Sequence, residues 1–373
     1  MPFDITSPAI IHCGAGAFSR VVDEIVRLGQ RAVIVTGAHL HASQRVSNLI
    51  KDLSAHSVQA HLADPVTSEP TVEMVDELAA FVVRNSADVI VAIGGGSVMD
   101  TAKAAAAVAA NGGATEDFQL RRREINQPPI NLLAIPTTSG TGSEATRVSV
   151  LTNEKLGIKR SISHPLMTPG VVILDPELTV SLSKYLTTIT AMDAFAHAIE
   201  SAVSANANSY TRNIALAGIS ELDKGLPRCQ ADPNDLDARV SCLMGSCFAG
   251  LAMQAGMGAT HSLAPAVCIV GAIRHSEAVG ALLPHVIRLN EHHAPGVYEE
   301  VRRAMSCDDV AGRIEELCQS GGFANNLSQF GLKPSDWDHM LEAMNRYASH
   351  RRTNPVEVTD VYAKELFATA VGM

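Results

Sequence analysis

The sequence predicts an α/β nucleotide-binding domain with a doubly wound parallel sheet, followed by an all-α domain. Three observations carry that reading. Short β-branched runs alternate with helix-period segments through the first half, the pattern of βαβ units. After Asp175-Pro176-Glu177-Leu178 no strand-like run recurs, and apolar residues fall at helical spacing. A length of 373 residues suggests two domains and allows a large core. The boundary is placed near residue 180, giving an α/β domain over 1–180 and a helical domain over 181–373.

The elements follow in order. Residues 31–37 (Arg-Ala-Val-Ile-Val-Thr-Gly) form a β-branched run ending in glycine, read as a buried parallel strand. An amphipathic stretch covers 44–53, and a second short strand lies near 58–61. Val72, Val75, Leu78, Ala79 and Val82 recur at helical spacing within 71–85, with Ser68-Glu69-Pro70 as the start signal. The strand at 88–93 runs into Gly94-Gly95-Gly96-Ser97 and an alanine-rich helix over 98–110. A strand at 130–136 follows, then a hairpin of 148–151 and 158–162 around Thr152-Asn153-Glu154-Lys155, then a last strand at 171–174. Helical stretches are read at 187–205, 209–226, 235–255, 276–290, 297–305, 308–320, 335–349 and 358–370. Breaks are expected at Pro227, Gly256, Pro265 and Pro284.

Composition removes several function classes. Hydrophobic residues make up 46% against 18% charged, so the chain is globular rather than disordered. A formal net charge of −10 argues against nucleic-acid or anionic-membrane binding. No apolar run is read as approaching the roughly 20 residues that span a bilayer. Met1-Pro2-Phe3-Asp4 has no basic region followed by an apolar stretch, which speaks against a signal peptide. Seven cysteines without a CxxC pair fit reduced thiols in a cytoplasmic protein. Cys242 and Cys247 fall in an apolar helical run as small core residues, while Cys268 stands in the sequence between two of the histidines discussed next, from where a thiol could approach a metal.

Three motifs carry chemistry. Gly94-Gly95-Gly96-Ser97 with Asp100 and Lys103 is a strand–glycine–helix turn, which brings backbone N–H groups and a helix N-terminus to a phosphate. The same run also suits a tight strand-to-helix turn with no ligand. Pro136-Thr137-Thr138-Ser139-Gly140-Thr141-Gly142-Ser143-Glu144 is a second donor-rich loop after a strand, so two such loops suggest two sides of one nucleotide. The third is Asp193, His197, His261 and His275. Asp193 and His197 share a helix face at i and i+4, and a carboxylate with three imidazoles suits iron(II) or zinc. His12, His39, His41, His56, His61, His164, His292, His293 and His350 are read as surface or loop residues, and His285, after Pro284, as a supporting one.

In their order and spacing these motifs resemble the iron-dependent (group III) alcohol dehydrogenase family. The resemblance runs from Cys13-Gly14-Ala15-Gly16 to Thr353-Asn354-Pro355. It implies the dehydroquinate synthase-like fold of that family, with a helical metal-binding domain over 181–373 and a homodimeric assembly. It implies that Asp193, His197, His261 and His275 hold Fe(II), with Zn(II) as the alternative, as the catalytic centre. Gly94, Gly95, Gly96 and Ser97 would hold the pyrophosphate, with Asp100 beside them. Thr137, Thr138, Thr141 and Lys159 would line the nucleotide and nicotinamide, with Leu178 behind the nicotinamide.

Three departures from the family pattern matter. Pro265 stands where many members have a further histidine of the proton relay. Gly37 stands where many NAD-preferring members have an acidic residue for the ribose 2′-OH, and His39, His41 or Arg45 would meet a 2′-phosphate, so NADP(H) is favoured over NAD(H). Arg147 stands where an apolar or amide residue is common. It reads either as a surface arginine or as a bidentate anchor for an anionic substrate.

The expected reaction is reversible hydride transfer to a small aldehyde, which in the anionic reading bears a carboxylate, sulfonate or phosphonate. A maleylacetate reductase-like enzyme is the closest rival, and the intact ligand set argues against it. A lyase or cyclase of the dehydroquinate synthase kind would need a basic phosphate cluster in the helical half, which is not seen there. An inactive nucleotide-binding protein is the rival outside enzymology.

Overall fold

The computed structural model describes residues 3–347 and 351–372. The chain divides into two compact units. One comprises Asp4–Thr138 and Ser143–Thr179, and the other runs from Val180 onward and includes Ser139–Gly142.

The first unit is built on β1 (Ile10–Cys13), β2 (Arg31–Thr36), β3 (Gln59–Leu62), β4 (Val89–Gly94), β5 (Asn131–Pro136) and β8 (Val171–Leu174), with the hairpin strands β6 (Val148–Asn153) and β7 (Ile158–Ser163). The six-stranded sheet is wholly parallel in the order β1-β8-β5-β4-β2-β3, and β6 pairs antiparallel with β7. Every residue of β4 and β8 is buried, which is why those strands read as unbroken apolar runs. The helices are α1 (Val21–Leu28), α2 (Ala38–His41), α3 (Gln44–Ala55), α4 (Val72–Arg84), α5 (Gly96–Asn111) and α6 (Thr115–Gln119). Helix α4 starts one residue beyond Thr71, because the Thr71 hydroxyl accepts from Met74 N–H and so caps it. The sequence reading lacks β1 and α1. Strand β1 is short, lies at the sheet edge and alternates between half-buried and exposed, so it carries little apolar signal.

Strand order fixes where a ligand can lie in this unit. The chain passes from β2 outward to β3, then crosses to the other side of β2 for β4. The order reverses between β2 and β4, whose carboxyl ends carry Gly37 and Gly94-Gly95-Gly96. That reversal opens the crevice in which doubly wound sheets bind nucleotides.

The second unit is helical: α7 (Lys184–Val203), α8 (Ser209–Ala231), α9 (Leu236–Ala252), α10 (Ala259–Gly271), α11 (His275–His293), α12 (Glu299–Met305), α13 (Val310–Ser320), α14 (Trp337–Tyr347) and α15 (Asp360–Ala370). Two expectations need correction. Pro227, Pro265 and Pro284 lie inside α8, α10 and α11 rather than ending helices. A proline removes one backbone donor and crowds the carbonyl four residues back, but these helices are deeply packed and the orphaned carbonyl can find another partner. For Pro284 that carbonyl belongs to Gly280, and it accepts from Asn325 Nδ2 at 2.7 Å. Gly256 does mark a break, with φ +85°.

The second correction concerns apolar runs. Leu236–Ala255 is 20 residues long with a mean hydropathy of 1.2, long and apolar enough to cross a membrane, and 61% of it is buried within the fold. Its small residues, among them Cys242 and Ala249, belong to the helical core, and Cys247 is buried as well. The end of the 335–349 stretch and His350 lie outside the described residues.

Candidate metal centre and nucleotide site

Asp193, His197 and Glu200 occur at i, i+4 and i+7 on α7 and so share one face. All three are buried. His261 lies in the first turn of α10 and His275 is the first residue of α11. The fold brings these side chains to one point. Asp193 Oδ1 lies 3.4 Å from His261 Nε2, 3.7 Å from His275 Nε2 and 3.8 Å from His197 Nε2. Donor atoms of Asp193, His261 and His275 all fall within 4.8 Å of one another. His197 flanks this trio, its ring stacked on that of His261 with centroids 4.5 Å apart.

The donor set fits a divalent ion on two grounds. Asp193 Oδ1 and His261 Nε2 are buried yet make no hydrogen bond, so two atoms able to ligate a metal face each other without a partner, a place that suits a cation. Their spacing matches neighbouring ligands bonded at about 2.0–2.2 Å to one centre.

Electrostatics agree. Burial would raise Asp193, but the imidazoles of His197, His261 and His275 outweigh it and hold the carboxyl well below its usual range. His197 is pushed down to about 4, chiefly by burial, and so stays neutral. Burial also depresses His261, yet the charges of Glu200 and Asp193 overrule it and raise the ring to about 9, so a second proton occupies Nε2 until a metal cation displaces it. The centre is therefore negative and favours positive charge.

Glu200 is the functional residue that sequence reasoning passes over. Its carboxylate accepts from His261 Nδ1 at 2.7 Å, Thr260 N–H at 2.6 Å and Gly258 N–H at 2.9 Å. It thus keeps a proton on Nδ1 and turns Nε2 toward Asp193. Its place two turns after Asp193 is the available signal. The start of α11, whose first residue is His275, is fixed by a different device. Glu277 accepts from Arg274 N–H at 3.0 Å across the start of α11, and from the Tyr185 hydroxyl on α7 at 2.8 Å.

In the α/β unit, the loops after β4 and β5 lie side by side. Thr137 N–H donates to Gly94 O at 3.0 Å, and a Cβ on Gly95 would sit 3.5 Å from Thr138 Oγ1. Gly94 has no room for a side chain, since a Cβ would come within 2.5 Å of Val98. No side chain caps the N-terminus of α5, whose first residues include Gly96 and Ser97, leaving that end to an anion.

The other expected contacts are placed as follows. Asp100 is engaged on both carboxylate oxygens by the 143–150 segment: Ser143 Oγ donates at 2.5 Å and Val150 N–H at 2.8 Å. It therefore shapes the loop. Lys103, fully buried, donates to Ser143 O at 2.9 Å and to Thr146 Oγ1 at 3.0 Å, and also reaches Val148 O. Lys159 pairs with Glu69 at 2.7 Å. Leu178 is packed in the core of this unit. Gly37 caps α2, and ordinary contact distances of 3.8 Å leave space for a Cβ. Arg147 is half-buried on the same segment as Lys103's partners, with no carboxylate at ion-pair distance among the described residues. Thr141 groups with the helical unit.

Buried Glu144 beside Lys103 gives a pH signature. Burial pushes it up to about 7 against its own backbone N–H and the Lys103 charge. Between the usual carboxylate range and that value the native state holds a proton the unfolded chain has released, so stability falls as pH rises through the window. Glu144→Gln is expected to remove this slope, giving a Tm advantage over the parent that grows from about pH 5 to about pH 8. Melting curves check it, and an equal difference at both pH values would contradict it.

The chain matches the family model for iron-containing alcohol dehydrogenase over residues 8–176 and that for the C-terminal part of the Fe-containing alcohol dehydrogenase family over residues 187–371. It is 31% identical to the probable alcohol dehydrogenase EutG of Escherichia coli strain K12, over 90% of this chain and 87% of that protein. Among solved structures, a 1,3-propanediol oxidoreductase is similar with a TM-score of 0.92 and 28% identity, covering 99% of this chain and all of that one. Sulfoacetaldehyde reductase from Bifidobacterium kashiwanohense in complex with NAD+ is similar at TM-score 0.87 and 29% identity, covering 100% and 99%. The chain belongs to the iron-containing alcohol dehydrogenase family and is a metal-dependent, NAD(P)-linked oxidoreductase.

Proposed function

We propose that the enzyme reduces a small anionic aldehyde with NADPH at a centre formed by Asp193, His197, His261 and His275. The observation that carries this reading is the convergence of Asp193, His261 and His275 donors within 4.8 Å, with Glu200 behind His261. Bound Fe(II), or Zn(II) in its place, would supply Lewis-acid polarisation of the substrate oxygen, and the nicotinamide would supply the hydride. The chain's own residues do the rest. Asp193 contributes the ligand charge, Glu200 orients His261, and Glu277 with Tyr185 fixes the start of α11, where His275 stands. Pro265, four residues after His261, has no proton to give, so the proton for the product oxygen would have to come from water, the cofactor ribose or another residue.

The nucleotide reading rests on the uncapped start of α5 and the paired loops after β4 and β5, where Gly94, Gly95, Gly96 and Ser97 would meet the pyrophosphate with Thr137 and Thr138 beside it. Thr141, Lys159 and Leu178 remain assigned to the nicotinamide side by resemblance. NADPH is favoured because Gly37 presents no carboxylate at the end of β2, while Arg45 lies in the first turn of α3, stacked on Phe18 at 5.3 Å. Gly37→Asp is expected to shift the kcat/KM ratio of NADPH to NADH toward NADH by about tenfold or more, the 2′-phosphate then facing a like charge. An unchanged ratio would refute the assignment.

Arg147 supports an anionic substrate, as does the similarity to a sulfoacetaldehyde reductase. Arg147→Ala is expected to raise KM for a sulfonated or carboxylated aldehyde about 10- to 100-fold with little change for a neutral one. Equal effects on both would remove the anchor. The decisive experiment for the whole reading loads the protein with Fe(II) or Zn(II) and follows NADPH and NADH oxidation over charged and neutral short aldehydes. Full activity after chelation would sink the metal centre and revive the maleylacetate reductase-like alternative. A homodimer working in the cytoplasm completes the reading, and light scattering in solution tests the assembly.

A further inference from the structure

Asn354 lies outside every helix and strand, yet it is buried and fully bonded. Its Oδ1 accepts from Ala259 N–H at 3.1 Å and from Asn290 Nδ2 at 3.1 Å. Its Nδ2 donates to Asn290 Oδ1 at 2.7 Å and to Val356 O at 2.6 Å. Asn290, on α11, also donates to the Tyr298 hydroxyl at 2.9 Å and accepts from the Tyr362 hydroxyl at 2.7 Å. The neighbouring backbone is fastened too: Ala205 N–H donates to Thr353 O at 2.9 Å, and Thr353 Oγ1 donates to Met257 O.

The target of this network is the start of α10. Its N-cap is Gly258, which has no side chain to satisfy the first N–H groups of its own helix. Two distant side chains do so instead. Glu200 takes the N–H groups of Gly258 and Thr260, and Asn354 takes the one between them. The fit is close, since a Cβ on Gly258 would lie 2.8 Å from Asn354 Oδ1 and 2.9 Å from Glu200 Oε1. His261 follows directly, so the helix end fixed by Asn354 is the one that aims its imidazole.

We infer that Asn354 is a positioning residue of the metal centre, coupling the C-terminal segment to metal retention through the first turn of α10. This rests on the metal reading above. Binding at the centre then orders the 351–356 segment, and loss of the Asn354 amide loosens the centre, since coupling is reciprocal.

The test uses the full chain with Co(II) as probe, titrated against a chromophoric chelator, with the visible Co(II) spectrum, NADPH affinity and Tm recorded. Asn354→Ala is expected to weaken Co(II) binding about 10- to 100-fold and alter the spectrum, with NADPH affinity within about twofold. Tyr362→Phe cuts the outer end of the network but leaves the Ala259 contact, so it is expected to lower Tm while Co(II) affinity stays within about twofold. Equal Co(II) loss in both variants, or none in Asn354→Ala, overturns the inference. Should Asn354→Ala fail to fold, hydrogen exchange on the parent decides. Co(II) is expected to protect residues 351–356 together with the start of α10, and protection confined to α10 overturns the coupling. A parent protein that binds no Co(II) instead refutes the metal reading itself.

Discussion

Asp193→Asn is expected to lower kcat/KM by about 10³-fold or more and to abolish tight metal binding, with NADPH affinity nearly unchanged. The substitution keeps the shape of the side chain and removes its charge. Among the described residues Asp193 is the one carboxylate that meets all three imidazoles, at 3.4 to 3.8 Å from its Oδ1. Without it three neutral rings must hold a dication in a buried place, and the charge has no compensation there. Part of the effect also comes from the amide, whose NH₂ group points at nitrogen lone pairs in one of its two orientations. Metal content after dialysis and steady-state kinetics check this. A variant that retains metal and turns over within tenfold of the parent would show that the three histidines suffice.

Glu200→Gln is expected to weaken metal binding by about 10- to 100-fold while the helical unit stays folded. Glu200 is surrounded by donors: His261 Nδ1, Thr260 N–H and Gly258 N–H. Its carboxyl is held below the usual range by His261 and those N–H groups, against the effect of burial. A glutamine supplies one acceptor oxygen and turns two hydrogens toward groups that also donate, so at least one contact is lost. If the lost contact is the one to His261, the proton is no longer pinned to Nδ1 and the tautomer that presents Nε2 is no longer favoured. Competition titration with a chelator reads the change directly. Unchanged affinity would mean that the ring is oriented by packing alone, through its stack on His197.

Much of the fold and of the candidate metal set is legible in the amino-acid sequence. The buried strands announce themselves as apolar β-branched runs, and the turn after β4 as a glycine cluster, because a parallel sheet demands both locally. The Asp193/His197 pair is visible because helical spacing puts i and i+4 on one face. The misreadings share one cause, which is dependence on distant residues. Strand β1 is too short and too exposed to carry a pattern, and its place at the sheet edge depends on β8, far along the chain. Pro227, Pro265 and Pro284 read as breaks because local rules count only the lost donor. The partner that replaces it, such as Asn325 at Gly280, comes from elsewhere. Asp100 is assigned to the nucleotide because it follows the glycines, and only the structure shows that its two oxygens also accept from Ser143 and Val150.

The sequence by itself determined the alternation of strands and helices, the change to an all-helical second half, the glycine turn and the residue types of the metal set, since these follow from periodicity and side-chain chemistry. Only the tertiary structure decided which atoms meet. His261 and His275 lie on separate helices, and their approach to Asp193 depends on where α10 and α11 begin. Those starting points are set by Glu200, Asn354, Glu277 and Tyr185, whose sequence separations range from a few residues to most of the helical unit. Burial made the arrangement binding: with no water to take their place, each donor and acceptor at the centre had to find a partner in the chain, and the unpartnered Asp193 Oδ1 and His261 Nε2 mark where a cation belongs.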